Sequence, residues 1–413
     1  MPVALSFENA PPLRLPMRFF LAACLWLACL AGECAWMGPD FSAATPLAYA
    51  LTHTLALGVL GNVMLGALFQ ILSVLSGLSP RHPDRWLHAI FWPFQAGTAA
   101  LVYGFFSGFS PGLLFSGAVL LAVSLLGFAL TFTLAAMHGP ARDPSTRGIR
   151  LALIGLGIAV SLGFSLSGIV TRGWDLPLMS LLPRHILWAS NGWILMLLLS
   201  VALTVVPMFQ LTAAYPVVIK KGLPILLLCC VTLDLRYAAA ACAACFFVTT
   251  FILQFHSPRR HDVGRRFWMG AMLCGLAALA LWMAAERSGD DRLWLATGWM
   301  WLGGMAFGAI LGMLYKIVPF LIWLHLKTLN PPRGALPGMQ AFIPEQATRL
   351  TLWLHRLWVC AGLGACFMPG PGHWPLAIAS ALLAGVVMLH VLAALRRQAH
   401  LKQNWGTGIQ SAG

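Results

Sequence analysis

Charge is what this sequence has least of. Only 9% of its 413 residues are charged, against 59% hydrophobic, whereas a soluble domain carries about 25% charged residues. That shortage excludes a soluble enzyme. With a mean hydropathy of +0.81, it points to a polytopic membrane protein whose first partner is the lipid bilayer. Acidic residues are scarcest, 12 against 26 Lys and Arg, for a net charge of +14. The basic residues fall in short clusters between apolar runs, where membrane orientation is encoded, so nucleic acid is not expected as a partner. A secreted-type disulfide framework is also lacking, because nearly all ten cysteines lie inside apolar runs. Cys242 and Cys245 form a C-x-x-C in Ala-rich sequence, where cysteine acts as a small hydrophobe. No Walker, Rossmann or Ser–His–Asp pattern stands in a credible context. The stretch Phe19–Leu30 follows Arg14 and Arg18 and reads as a first span rather than a cleaved signal.

What the chain has in abundance is apolar runs. Charge, Pro and Gly bound twelve of them: 17–37, 46–77, 86–107, 111–136, 148–170, 183–211, 217–234, 236–256, 265–287, 292–326, 348–368 and 373–398. Most reach the ~20 residues that cross the hydrocarbon layer. The region 217–256 divides at Asp234–Arg236. Two crossings leave Lys220 and Lys221 on the same side as Arg259, Arg260, Arg265 and Arg266, as the positive-inside rule favours. With both termini cytoplasmic, twenty Lys and Arg lie inside and five outside, Lys316 falling within a span. A multi-pass protein of a bacterial inner membrane is expected. No soluble domain is visible, and 1–413 reads as a single membrane domain.

Three long runs share a small-residue ladder. From Ser73, Pro207 and Pro319, fifteen residues back stand Gly58, Gly192 and Gly304, and seven back stand Gly66, Ser200 and Gly312. Three back is the polar trio Gln70, Thr204 and Lys316. Such spacing keeps to one helical face, where small residues let backbones approach closely within a membrane. The ladder helices are spans two, six and ten. They divide the chain into repeat units 17–136, 148–256 and 265–398 of four helices each. The expected fold is all-α, twelve transmembrane helices in three pseudo-symmetric four-helix arcs.

Twelve spans in three arcs, with the second helix of each arc innermost, resembles subunit I of the haem–copper oxidase superfamily, and its distant NnrS-type haem- and copper-containing branch in length and span number. The local match is His53-Thr-Leu-Ala-Leu-Gly58 followed by Gly66-Ala-Leu-Phe-Gln70, where the superfamily carries a low-spin haem ligand. The resemblance implies haem b or copper as cofactor, with respiratory or redox subunits as partners. It departs elsewhere. His185 is followed four residues later by Ala189 instead of tyrosine, 217–234 has no histidine, and the start of span ten reads Trp294-Leu-Ala-Thr297-Gly298-Trp299. A complete terminal oxidase is therefore not expected.

The residues themselves nominate His53 and His185. They lie twenty and twenty-two positions before their anchors, sharing a depth to within about 3 Å of helical rise. Two imidazoles from inner helices suit a haem or a copper ion; the competing reading is a pair of helix-end histidines bonded to backbone. Their faces differ, since Gly192 follows His185 by seven residues but Gly58 follows His53 by five, about 140° around the helix. His325, His355 and His390 lie towards the other end, His325 being the best candidate there for a second metal ligand. Lys316 is the sharpest polar anomaly. With Gln70, Thr204 and Tyr315 it forms a candidate buried polar site, for a proton, an anion or a haem propionate, or a lock between arcs through Gln70. Trp174, Trp188, Trp193, Trp294, Trp299 and Trp301 suit an interfacial belt. The leading expectation is a haem- or copper-binding membrane protein with an electron-transfer, gas-response or metallocentre-support role. The alternatives are a small-solute or ion permease using Lys316, and a cofactor-free assembly or structural partner of a respiratory complex.

Overall fold

The computed structural model describes residues 12–76, 83–138, 143–329, 331, 332, 334–368, 370 and 373–410. Arg81, His82, Arg142 and Arg333 lie outside these. The described residues form helices and no strand. In chain order these are α1 (Arg14–Cys34), α2 (Pro46–His53 running through Thr54–Gly61 into Asn62–Ser76), α3 (Pro83–Phe106), α4 (Pro111–His138) and α5 (Pro144–Arg172). Next come α6 (Leu178–Leu187 through Trp188–Leu195 into Met196–Gln210), α7 (Val217–Thr232), α8 (Arg236–Phe255) and α9 (Val263–Ser288). Last are α10 (Asp291–Trp299 through Met300–Phe307 into Gly308–Lys327), α11 (Glu345–Phe367) and α12 (His373–Gln410). Eleven are long and apolar enough to cross a membrane. The other is α7, whose 16 residues rise about 24 Å. It turns into α8 through Leu233–Leu235, with Asp234 in the left-handed region at φ 55, so 217–256 is two helices, as the charge clusters implied.

Local chemistry sets the ends. Asp143 caps α5 by accepting from the Thr146 amide at 3.1 Å, and Asp262 caps α9 by accepting from Arg265 at 3.2 Å. Such caps satisfy orphan amides of the first turn. Gly173 and Gly289 close the same two helices with left-handed φ of 66° and 68°, an angle that a side chain makes costly.

The three ladder helices α2, α6 and α10 share a second regularity that the sequence did not announce. Each carries an eight-residue π-helical stretch: Thr54–Gly61, Trp188–Leu195 and Met300–Phe307. All three begin nineteen residues before the anchor and end twelve before it. π-Helices are rare, appear mostly as single turns inside α-helices and often mark functional sites, so three at one register mark these helices as alike.

The ladder face of each packs on the helix that opens its own unit. A Cβ on Gly66 would lie 2.9 Å from Phe19, and one on Gly58 2.7 Å from the Trp26 ring, both on α1. On α10, Gly312 and Gly304 meet Phe267 at 2.6 Å and Cys274 at 2.8 Å, both on α9. In the middle unit both sides are small: Gly148 of α5 faces the Ser200 hydroxyl, and a Cβ on Gly155 would fall on the Gly192 carbonyl. The facing residues are seven apart each time (Phe19 and Trp26, Gly148 and Gly155, Phe267 and Cys274), so the repeat extends to the opening helices.

Contacts between units follow a cycle. α4 lies against α5, α8 against α9, and α12 returns to α1. At the centre, α2, α6 and α10 surround an apolar cavity of about 60 Å³. It is lined at equivalent ladder positions by Met64 and Ala67, Leu198 and Val201, and Ile310 and Met313.

Gly155→Ala is expected to destabilise the protein by about 1–3 kcal/mol, since overpacking at a rigid backbone crossing cannot relax. Gly127→Ala, with nothing within 4 Å of the added methyl, is the matched control. Thermal unfolding followed by size-exclusion monodispersity separates the two.

Candidate metal centre

His53 ends the first α-helical segment of α2, and His185 lies in the corresponding segment of α6, each just before its π-helical stretch. The structure brings the two rings together. Their centroids are 6.5 Å apart and their planes 14° from parallel. This reconciles the two azimuths read from the sequence. In a cyclic arrangement, neighbouring copies meet through non-equivalent faces. Residues that face each other across one junction must therefore sit at different angles on their own helices.

Each ring is held by one nitrogen. His53 Nδ1 bonds the Tyr49 carbonyl at 2.8 Å and His185 Nδ1 bonds the Ala159 carbonyl at 3.0 Å. A carbonyl only accepts, so both Nδ1 atoms carry the proton and both Nε2 atoms present a lone pair. Among the described residues neither Nε2 has a hydrogen-bond partner. Packing fixes the planes further. Phe105 stacks on His53 at 5.0 Å and 28°, and Tyr49 stacks on Phe105 at 5.5 Å. A Cβ on Gly163 would lie 3.0 Å from His185 Cε1, so α5 shapes one edge of the site. Both imidazoles are half-buried.

Each ring therefore keeps one nitrogen lone pair that no described residue engages, the form in which histidine binds a metal. A carbonyl bonded to the remote nitrogen is also the usual outer support of a metal-bound histidine. Two such imidazoles are a donor type that either haem iron or copper would accept. No group of three His, Cys, Asp or Glu able to hold a metal forms among the described residues. In the third inner helix, Trp299 and Thr297 occupy the positions of His53 and His185. Trp299 Nε1 instead donates to the Val359 carbonyl at 3.0 Å.

The other expected site residues do not assemble. His325 lies some twenty-six positions beyond the His53 level, about 39 Å of helical rise away, and its Nε2 is bonded to Lys402 Nζ at 2.8 Å. It therefore stands apart from the histidine pair. His355 Nε2 bonds the Gly303 carbonyl at 3.0 Å, within the π-helical stretch of α10. His390 Nδ1 bonds the Tyr315 hydroxyl at 2.7 Å, and Thr351 bonds the same hydroxyl at 2.7 Å.

The polar trio separates in the same way. Lys316 Nζ pairs with Asp262 at 2.6 Å, and Thr204 bonds Ser145 at 2.6 Å. No hydrogen bond among the described residues joins Gln70, Thr204, Lys316 and Tyr315. Lys316 and Thr204 thus each engage the start of the opening helix of their own unit rather than one another. Of the tryptophans, Trp188, Trp193 and Trp301 are buried, while Trp174 and Trp294 are exposed as a belt requires.

Two participants escaped the sequence reading. Asp262 is the partner of Lys316, and the signal for it was its capping position before α9. Glu33 is the other, buried at the end of α1 and accepting from the Thr54 hydroxyl at 2.7 Å. Thr54 follows His53 directly, and the signal was an acid inside an apolar run.

Neither any protein-family model nor any curated protein sequence matches the chain.

Removing one partner of a partly enclosed ion pair strands the other. Lys316→Met is expected to cost about 1–3 kcal/mol after allowance for solvent screening, and Lys316→Met with Asp262→Asn to recover most of that loss. Melting midpoints of the two variants measure the difference.

Proposed function

We propose that this chain is a haem- or copper-binding integral membrane protein in which His53 and His185 together hold one metal centre through their Nε2 atoms. The observation that carries the reading is the ring pair itself: two imidazoles with tethered Nδ1 atoms, near-parallel and 6.5 Å apart. A haem or copper ion there would supply one-electron chemistry or ligand capture. The polypeptide contributes the rest. The Tyr49 and Ala159 carbonyls fix the tautomers, Phe105 and Gly163 fix the planes, and the surrounding apolar helices limit water. The role we propose is electron transfer, gas response or support of another metallocentre.

The proposed setting is a bacterial inner membrane crossed twelve times, with α7 as a short crossing and both termini cytoplasmic. Three four-helix arcs in a ring are the proposed layout. The common register of the three π-helical stretches, the matching contacts with the opening helices and the cyclic unit contacts support it. Respiratory or redox subunits are the proposed partners.

A polar-solute permease has less support. The central cavity is lined by apolar side chains, and Lys316 is already neutralised by Asp262.

Purified protein from haem-replete, copper-supplemented cells is expected to carry one metal per chain. A reduced-minus-oxidised visible spectrum together with elemental analysis distinguishes haem from bare copper. His53→Ala and His185→Ala should each lower occupancy at least ten-fold, since neither imidazole alone retains the second bond. A metal-free, colourless preparation would sink the proposal.

A further inference from the structure

The end of the bundle opposite the histidine pair holds an imbalance of its own. Gln210, the last residue of α6, and Gln254, near the end of α8, are both 0% exposed. All four of their side-chain amide atoms lack a hydrogen-bond partner. Leaving a buried polar group unpaired costs about 1–3 kcal/mol, and native folds rarely retain one without cause.

The surroundings are tightly organised. The segment between α8 and α9 caps both helix ends, with Ser257 Oγ donating to the Gln210 carbonyl at 2.6 Å and Arg265 Nε donating to the Gln254 carbonyl at 2.6 Å. Gly264 lies where three groups meet. A Cβ there would be 2.9 Å from Gln210 Nε2, 2.9 Å from Asp262 Oδ1 and 3.0 Å from Lys316 Cε. The middle unit offers the comparison. Ser145 follows the capping Asp143 by two residues, as Gly264 follows Asp262, and Ser145 bonds Thr204 directly at 2.6 Å. In the third unit glycine replaces that serine and lysine replaces that threonine. Lys316 reaches past to Asp262, and the carboxamide of Gln210 is left beside the pair with nothing to bond.

What meets Gln210 must both donate and accept, because a carboxamide offers one N–H₂ and one carbonyl oxygen. A cation is disfavoured by Lys316, Arg259 and Arg265. An anion would face the Asp262 carboxylate and compete with it for Lys316. We propose that ordered water occupies this junction of α6, α9 and α10, bridging the Gln210 carboxamide to the N–H donors of Lys316 that Asp262 does not take. Buried waters of this kind make two to four hydrogen bonds and belong to the fold. The site makes Lys316 a hydrated, ion-paired lysine at the membrane edge. It is independent of the histidine pair.

The sign of a substitution effect tests it on the full chain in lipid nanodiscs. If nothing is bound, Gln210→Leu removes an unpaired amide and raises or preserves the melting midpoint. If water bridges it to Lys316, the variant strands the remaining bonds and lowers the midpoint by about 2 °C or more. A midpoint at or above that of the parent overturns the proposal. Should the variant fail to fold, a map of the unmodified protein at about 2.5 Å or better decides. Density between Gln210 and Lys316 within hydrogen-bond distance of both is expected, and a dry junction overturns the proposal.

Discussion

Close approach of backbones between the opening helix and the inner helix of each unit is the constraint on which this molecule depends. In lipid no hydrophobic force drives helices together, so packing and the satisfaction of polar groups must do it. The protein meets this with at least one small residue in each contact. Gly58 and Gly66 accept Trp26 and Phe19, Gly304 and Gly312 accept Cys274 and Phe267, and in the middle unit Gly148 and Gly155 meet Ser200 and Gly192. The close approach is kept although the facing residues differ from unit to unit. The inner helices are then held at a spacing that leaves a small apolar cavity on the axis.

On that frame the polar chemistry is distributed by unit rather than gathered at the centre. The histidine pair occupies the junction of the first two units. The Tyr315, Thr351 and His390 hydroxyl–imidazole group belongs to the third, and the Lys316–Asp262 pair ties α10 to α9. Symmetric backbone and asymmetric side chains together give three similar junctions with different contents. Trp299 stands where a third histidine would be, and its indole is committed to a backbone carbonyl.

Much of this was legible in the residues. Apolar runs and their punctuation located the eleven helices long and apolar enough to cross a membrane, and the basic clusters on either side of 217–256 separated α7 from α8. The ladder was readable as a repeat, but small residues announce a close neighbour without naming it. His53 and His185 stood out through shared depth, yet their meeting could not be read from a helical wheel. That arithmetic assumes 100° per residue and fails across a π-helical stretch. Asp262 was hidden because it is 54 residues from Lys316 and reads locally as a helix cap. Gln70, Thr204 and Lys316 shared a depth, which says nothing of direction, and Thr204 and Lys316 each turn to the start of their own unit's opening helix.

The three π-helical stretches also bear on how the candidate site is built. A π-helical turn accommodates an extra residue within an α-helix, and here three such stretches of equal length share one register against their anchors. His53 and His185 each stand just ahead of one, so the wider turn offsets everything that follows on those helices from a regular helical count. The third inner helix carries the same offset with Trp299 and Thr297 at the corresponding positions, so the backbone feature does not depend on the imidazoles beside it.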